Sequence, residues 1–336
     1  MKKAGRPGAR VGHRILVTGG AGFIGSEFVR QAAALGAEVS VIDKLTYAGD
    51  RQRLLPLKEK VSFHKGDICD TGFLDEVFRR EHPDSVVHFA AETHVDRSIS
   101  DASLFVRTNV QGTHALLSAA RKYAVRRFVH ISSDEVYGEI RRGAFREESP
   151  LRPSSPYSAS KAAADLLVMA FMRTYRFPAL IVRPSNNYGP WQFPEKLIPV
   201  IIHKALHNRK VPIYARGLNR REWICVSDCA AGILCALQKG KDGEIYNLGS
   251  GHEEKNLDIA KKILAILQRP GSLIKFVVDR PGHDFRYALD SAKMRSLGWV
   301  PKLSFAEGLS ETVQWYAHHR EWLAGKLSAK DAARHA

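Results

Sequence analysis

Short, mostly apolar runs separated by longer stretches of helical periodicity dominate the first half of this chain. The runs fall at residues 15–18, 39–42, 62–64, 85–89, 128–132 and 179–182. The segments between them are long enough for crossover helices, so residues 14–185 are predicted to form a parallel, doubly wound α/β sheet. Beyond Arg183 the pattern loosens and Pro, Gly and Asn become more frequent, which predicts a smaller C-terminal α+β domain over residues 186–324 for holding a substrate. Residues 222–250 again read as helix then strand and are expected to return to the large sheet. Residues 1–13 are expected to be a flexible basic extension, and 325–336 a tail.

Composition narrows this picture only modestly. At 336 residues the chain can bury a large core. No run of about eighteen apolar residues is present to span a bilayer, and no apolar segment follows the basic N-terminus. A cytoplasmic protein with no membrane partner is therefore expected. Cys69, Cys225, Cys229 and Cys235 lack metal-ligand spacing, so reduced thiols and no metal are expected. The formal charge is +16, of which Lys2, Lys3, Arg6, Arg10 and Arg14 lie in or beside the N-terminal extension. The remaining basic residues are scattered and are not interleaved with aromatics as a base-stacking surface would be. A solvated surface with local cationic sites for a nucleotide diphosphate is expected, and no nucleic acid.

Candidate chemistry begins at the first strand. RILVTGGAGFIG runs from Arg14 to Gly25, with Gly19, Gly22 and Gly25 spaced G-x-x-G-x-x-G before a helical segment. Glycines at this spacing let the turn close tightly, let backbone approach a pyrophosphate, and aim the positive end of a helix at it. The second strand ends in Asp43, eighteen residues after Gly25. An acid there accepts from both ribose hydroxyls and repels a 2′-phosphate, which points to NAD rather than NADP, with Lys44 beside it as the complication. Asp67 and Ile68, after the third strand, are candidates for the adenine. An ordinary strand–helix turn and a plain loop carboxylate are the alternatives for these two sites.

The second group of candidates is Ser133, Asp134 and Glu135 at the end of the fifth strand, followed by Tyr157 and Lys161 spaced Y-x-x-x-K. Tyr157 and Lys161 fall one helical turn apart on one face. A phenol with a reference pKa of about 10 becomes a useful base only where a nearby cation favours phenolate, as Lys161 and a nicotinamide would. With Ser133 bonded to the same oxygen, this set suits oxidation of an alcohol. Two adjacent carboxylates resist ionising together, so Asp134 as acid and Glu135 as base suit elimination of water from the resulting ketone. A surface Tyr/Lys pair and a helix-capping turn are the plainer alternatives.

The motifs TGGAGFIG, DKLTYAG, HFAAETHVDRSI, ISSDEVYG, YSASKAAAD, SNNYGPWQFPEKLIP and RPGHDFRYALD, spread over residues 14–316, resemble the extended short-chain dehydrogenase/reductases, specifically the dTDP-glucose 4,6-dehydratase family. The resemblance implies a Rossmann-type fold, an NAD kept through the whole cycle and a 4-keto-6-deoxy-glucose nucleotide as product. It places Ser133, Tyr157 and Lys161 in the oxidation, Asp134 as the acid and Glu135 as the base. It adds Phe23, Ile24 and Ala90 to the cofactor contacts. For the sugar nucleotide it implies His94, Asp96, Arg97, Asn187, Lys196, Leu197, Tyr214, Arg221, Asn256, Arg280 and His283. Of these, Arg221 and Arg280 suit the diphosphate, since a guanidinium makes bidentate contacts to phosphate oxygens. The family usually carries threonine where this chain has Ser133; serine keeps the hydroxyl.

Apolar Leu166, Leu167, Val168, Met169 and Phe171 occupy more than one face of the helix predicted from residue 157 to about 173. A homodimer through a helix bundle, with a helix near residues 108–123, would bury the second face, and the resemblance implies one too. Competing functions are the same reaction on UDP-glucose, a nucleotide-sugar 4-epimerase or decarboxylase, and a non-catalytic NAD- or RNA-binding protein. Epimerase and decarboxylase families lack the Asp–Glu pair at this strand end, and a non-catalytic protein would have lost Tyr157, Lys161 or Glu135.

Overall fold

A computed structural model describes residues 14–279 and 281–332. The strands are β1 (Arg14–Thr18), β2 (Glu38–Asp43), β3 (Val61–Lys65), β4 (Ser85–His88), β5 (Arg127–Ile131), β6 (Ala179–Pro184), β7 (Asn186–Tyr188), β8 (Val211–Tyr214), β9 (Arg220–Cys225), β10 (Ile245–Leu248), β11 (Glu253–Lys255) and β12 (Ile274–Val277). Seven of them form one sheet in the order β10-β6-β5-β4-β1-β2-β3, parallel throughout. Chain direction across the sheet reverses between β1 and β4, and in such sheets ligands bind in the crevice beyond the carboxyl ends at that point.

Burial follows the apolar runs. Every residue of β6 is buried, as is all of β1 after Arg14, while β3 at the far edge is only half-buried. One core lies under the helices Phe23–Ala34 and Val226–Lys239, and includes Val17, Phe28, Val41, Ile233 and Leu237. The other face is packed by Leu74, Phe78, Leu116, Val168 and Phe171 from the helices Thr71–Glu81, Thr113–Lys122 and Pro156–Tyr175.

Local signals set the helix ends. Ser155 caps Pro156–Tyr175 through a reciprocal bond with Ser158, with Pro156 in the first position, where its missing N–H costs nothing. Ser304 and Glu307 do the same for Phe305–His318.

The region after Arg183 forms two small sheets. One has the order β11-β9-β7 and the other pairs β8 with β12, around a third core that includes Ile201, Ile259, Ile263, Leu309 and Tyr316. Within residues 222–250, the helix Val226–Lys239 and β10 extend the large sheet, whereas β9 belongs to a small one.

Two expectations need adjusting, and a third is not tested. The helix anticipated near 108–123 is ordinary only from Thr113 to Lys122; Val106–Gly112 is a wide π-type turn. The tail anticipated at 325–336 begins inside the helix Arg320–Ala332, where Lys326 pairs with Asp50 at 2.9 Å. The basic extension over residues 1–13 lies outside the described residues. Among the described residues, no helix is long and apolar enough to cross a membrane.

Candidate active site

The cofactor side is made of backbone. Gly19 sits at φ +71°, and a Cβ there would lie 2.6 Å from the Ala90 nitrogen; one on Gly25 would lie 2.3 Å from the Gly19 carbonyl oxygen. No side chain caps the first turn of the helix Phe23–Ala34 that follows Gly22, which leaves its amide groups to face an anion. Asp43 is buried and accepts from the amides of Ala21 (2.9 Å) and Leu45 (2.8 Å), so it braces the turn as well as facing the cleft. Lys44 donates to Asp67 at 2.8 Å, a carboxylate that also receives Arg107 at 3.3 Å. Lys44 is thus held toward Asp67, while the Asp43 carboxylate faces the cleft and disfavours a 2′-phosphate beside it. These residues fit a dinucleotide with an unmodified ribose.

Ser133, Asp134 and Glu135 follow β5 directly, in a short turn over Asp134–Tyr137 that Ser133 caps by accepting the Glu135 amide at 3.2 Å. The same hydroxyl donates to Asp134 Oδ1 at 3.2 Å. Asp134 Oδ2 is buried with no hydrogen-bond partner among the described residues. Burial, and after it the charges of Glu135 and Glu222, push the Asp134 carboxyl well above its usual range, which favours its protonated form. Lys161 is also buried, donates to the Ile131 carbonyl at 2.7 Å, and is drawn down to about 8 by burial against the opposing pull of Asp165. Burial and Glu135 push the Tyr157 phenol upward, opposed by its hydrogen bond with Ser133.

One cleft is lined by Gly19, Gly22, Phe23, Ile24, Gly25, Asp43, Lys44, Asp67, Ile68, Ala90, Ser133, Asp134, Glu135, Tyr157, Lys161, Asn187 and Lys196. Lys196 reaches across it to donate to the Thr93 carbonyl at 3.0 Å. The other expected sugar-nucleotide residues that the structure describes lie outside its lining. His94 caps the helix Val95–Ser100 and approaches Glu195 at 3.4 Å, Arg97 stacks over Tyr47 at 3.8 Å, and Asp96 falls in that helix's first turn. Leu197 opens the helix Leu197–Leu206. Tyr214 is exposed, with its ring edge-on to His283, and Asn256 is buried with Oδ1 unpartnered among the described residues. Arg221 is buried with its charge near Asp134. Its guanidinium donates to the carbonyls of Arg220, Asp284 and Phe285 at 2.7–3.2 Å, and those bonds already use much of its donor capacity. Arg280 lies outside the described residues.

Over most of its length the sequence, at residues 16–312, matches the family model described as GDP-mannose 4,6 dehydratase. A dTDP-glucose 4,6-dehydratase of Streptomyces niveus is 50% identical, over 92% of this chain and 94% of that one. The crystal structure of the dTDP-glucose 4,6-dehydratase of Streptomyces venezuelae, with NAD and TYD bound, superposes with a TM-score of 0.91 at 49% identity, covering 93% of this chain and 99% of that one. The chain belongs to the dTDP-glucose 4,6-dehydratase family. The fold alone does not separate this family from its neighbours. A UDP-glucose 4-epimerase of Thermus thermophilus, in complex with NAD, also superposes with a TM-score of 0.86, at 32% identity over 90% of this chain and 99% of that one.

Against this dehydratase background, sequence reasoning missed residues that organise the cleft. Asn109, buried in the wide turn, accepts the Glu92 amide (2.8 Å) and donates to the Glu92 carbonyl (3.0 Å) and Ser160 Oγ (2.8 Å). It thereby ties the 92–93 wall of the cleft to the helix carrying Tyr157, and no local motif announces it. Tyr287, stacked under Arg221 at 4.4 Å and electrostatically coupled to Glu135, sits inside RPGHDFRYALD; the motif was visible and this residue was passed over. Among the described residues, no group of three or more His, Cys, Asp or Glu side chains is placed to hold a metal.

Proposed function

We infer that the protein is a dTDP-glucose 4,6-dehydratase working with NAD: it oxidises carbon 4 of the glucose, eliminates water across carbons 5 and 6, and returns hydride to carbon 6. What carries this reading is geometric: a buried Asp134 next to Glu135 at the end of β5, lining the same cleft as Tyr157 and Lys161. NAD, when bound, takes up the hydride at the start and supplies it at the end.

The remaining work falls to side chains. Tyr157 accepts the proton of the C4 hydroxyl while Ser133 bonds the same oxygen, and the Lys161 charge favours the phenolate that burial disfavours. The C4 carbonyl acidifies the C5 proton, which Glu135 removes. Asp134 passes its proton to the C6 hydroxyl, which leaves as water. Glu135 returns its proton to C5 as C6 receives hydride. Tyr157 then holds one extra proton and Asp134 lacks one. The Ser133 hydroxyl, hydrogen-bonded to both, lies on the path that resets them.

We place the enzyme in the cytoplasm, where NAD and charged sugar nucleotides are made, and infer that it is a homodimer. The helix Pro156–Tyr175 exposes Leu166 (56%) and Met169 (39%), and the segments packed beside it expose Ile99, Leu104 and Val106. Apolar side chains gathered in this way mark protein interfaces. Light scattering after gel filtration should give twice the chain mass, and Leu166→Glu should shift it toward one; a wild-type monomer would remove the dimer.

The test of the reaction is mass spectrometry of dTDP-glucose and UDP-glucose, each incubated with protein and catalytic NAD. Loss of one water from dTDP-glucose is expected. Loss from UDP-glucose alone would change the nucleotide, and unchanged mass in both would overturn the dehydratase.

A further inference from the structure

Ala21, inside the glycine turn, is gripped from both sides. Its amide donates to Asp43, and its carbonyl accepts from the Asp50 amide at 3.0 Å and from Arg53 Nη1 at 2.7 Å. Arg53 is 2% exposed, and its guanidinium also donates to the carbonyls of Ala48 (2.7 Å) and Trp191 (2.8 Å). Both Ala48 and Arg53 line the cofactor cleft.

Asp50 is itself held from a segment 272 residues away. Its Oδ2 accepts from Trp322 Nε1 and Lys326 Nζ, each at 2.9 Å, while Oδ1 accepts the Gln52 amide at 3.0 Å. The Trp322 ring lies 5.9 Å from the Arg53 guanidinium and packs on Trp191 and Trp315 at 5.3 and 5.5 Å. Direct contacts therefore run from the helix Arg320–Ala332 through Asp50 and Arg53 to the carbonyl of the turn. Burial would raise the Asp50 carboxyl, but the bonds from Lys326 and Trp322 hold it below its usual range, so the carboxylate is charged at neutral pH. Without them a buried carboxylate would have to draw in water, and movement of Asp50 would release one of the two grips on the Ala21 carbonyl.

We propose that Trp322 and Lys326 are positioning residues for the cofactor: the helix Arg320–Ala332 latches the glycine turn over the dinucleotide and slows its release. The proposal rests on the dehydratase reading, in which the hydride taken from carbon 4 returns to carbon 6 of the same sugar. Retention of the dinucleotide between those steps is what the reaction requires of the turn.

The test uses the full chain. Bound NADH is displaced by excess NAD, its fluorescence decay gives the release rate, and melting temperature is measured on the same samples. The double variant Trp322→Phe/Lys326→Gln should release NADH about tenfold faster, about the worth of one hydrogen bond to a charged group passed on to the turn. Restoring charge with Lys326→Arg should recover most of the retention. Wild-type release from a double variant that melts normally would overturn the latch. Should the double variant misfold, Lys326→Gln alone decides, since that side chain is 23% exposed and its loss leaves the core intact. Wild-type protein that binds NAD but removes no water from either sugar nucleotide sinks the dehydratase reading while the release rates still decide the latch. Wild-type protein that binds no NAD sinks both.

Discussion

The cofactor wall of the cleft and the cluster around Arg221 that would wall in the sugar nucleotide are built on different principles. On the β1–β2 side the ligand-facing surface is main chain: a glycine turn whose approach distances leave no room for a Cβ, and a helix start with bare amides. Beyond the cleft lining, around Tyr214, Arg221, His283 and Tyr287, the groups expected to meet the sugar nucleotide are side chains, and those side chains meet one another first. Arg221 is committed to three carbonyls and a tyrosine ring, and Tyr214 lies against His283. A wall of main chain is specified by a few adjacent residues and fails all at once. A wall of side chains is assembled from distant segments and fails by degrees.

The strand end between the walls should show the largest effect of all. Glu135→Gln is expected to slow dehydration about 10²–10⁴-fold, the usual worth of a positioned base, while sugar-nucleotide binding survives. Reduced cofactor should build up on adding substrate; wild-type turnover would remove Glu135 from the chemistry. The contrast between the walls is tested by pairing Gly19→Ala with Arg221→Gln. The first puts a Cβ at φ +71° against the Ala90 backbone and should weaken NAD about 100-fold. The second should raise the KM for sugar nucleotide about tenfold and leave NAD affinity as it was. Isothermal titration with NAD separates them, and equal losses of NAD in both would erase the distinction.

Smaller effects concern stability. Because the folded protein keeps the Asp134 proton to higher pH than the unfolded chain does, this residue costs stability as pH rises past about 4. Asp134→Asn should therefore melt higher than wild type at pH 7, with the gain vanishing near pH 3, although it cannot dehydrate. An unchanged melting temperature at pH 7 would mean that the carboxyl is ionised. Lys161 gives the smallest effect. Above about 8 the folded protein lacks a proton that the unfolded chain retains up to about 10.4, so this group makes stability rise with pH across that window. Urea titrations of Lys161→Met should show that slope flattened.

Legibility in the sequence follows the same division. The six runs that predicted strands, the glycine spacing, Asp43 and the Ser-Asp-Glu strand end were all readable, because each is decided by neighbours in sequence. The wide turn over Val106–Gly112 was not, because Asn109 is held there by Glu92 and Ser160 from other segments. Nor was the docking of Arg320–Ala332, since Trp322 and Lys326 look like surface residues until Asp50 is brought beside them. Arg221 was readable as a cation but not as one whose bonds are largely spent on backbone carbonyls.

During synthesis the large sheet stays one strand short until Leu248 has left the ribosome, since β10 alone covers the outer edge of β6. At about 5–20 residues per second, the stretch between the two strands takes several seconds to make. Throughout that time the emerging chain presents ALIVRP, buried at every position once folded, as an open apolar edge. Open edges of this kind pair with other chains. Crowding of nascent chains on one messenger is thus the condition under which this fold is most exposed to aggregation, and chaperone demand should peak there rather than after release.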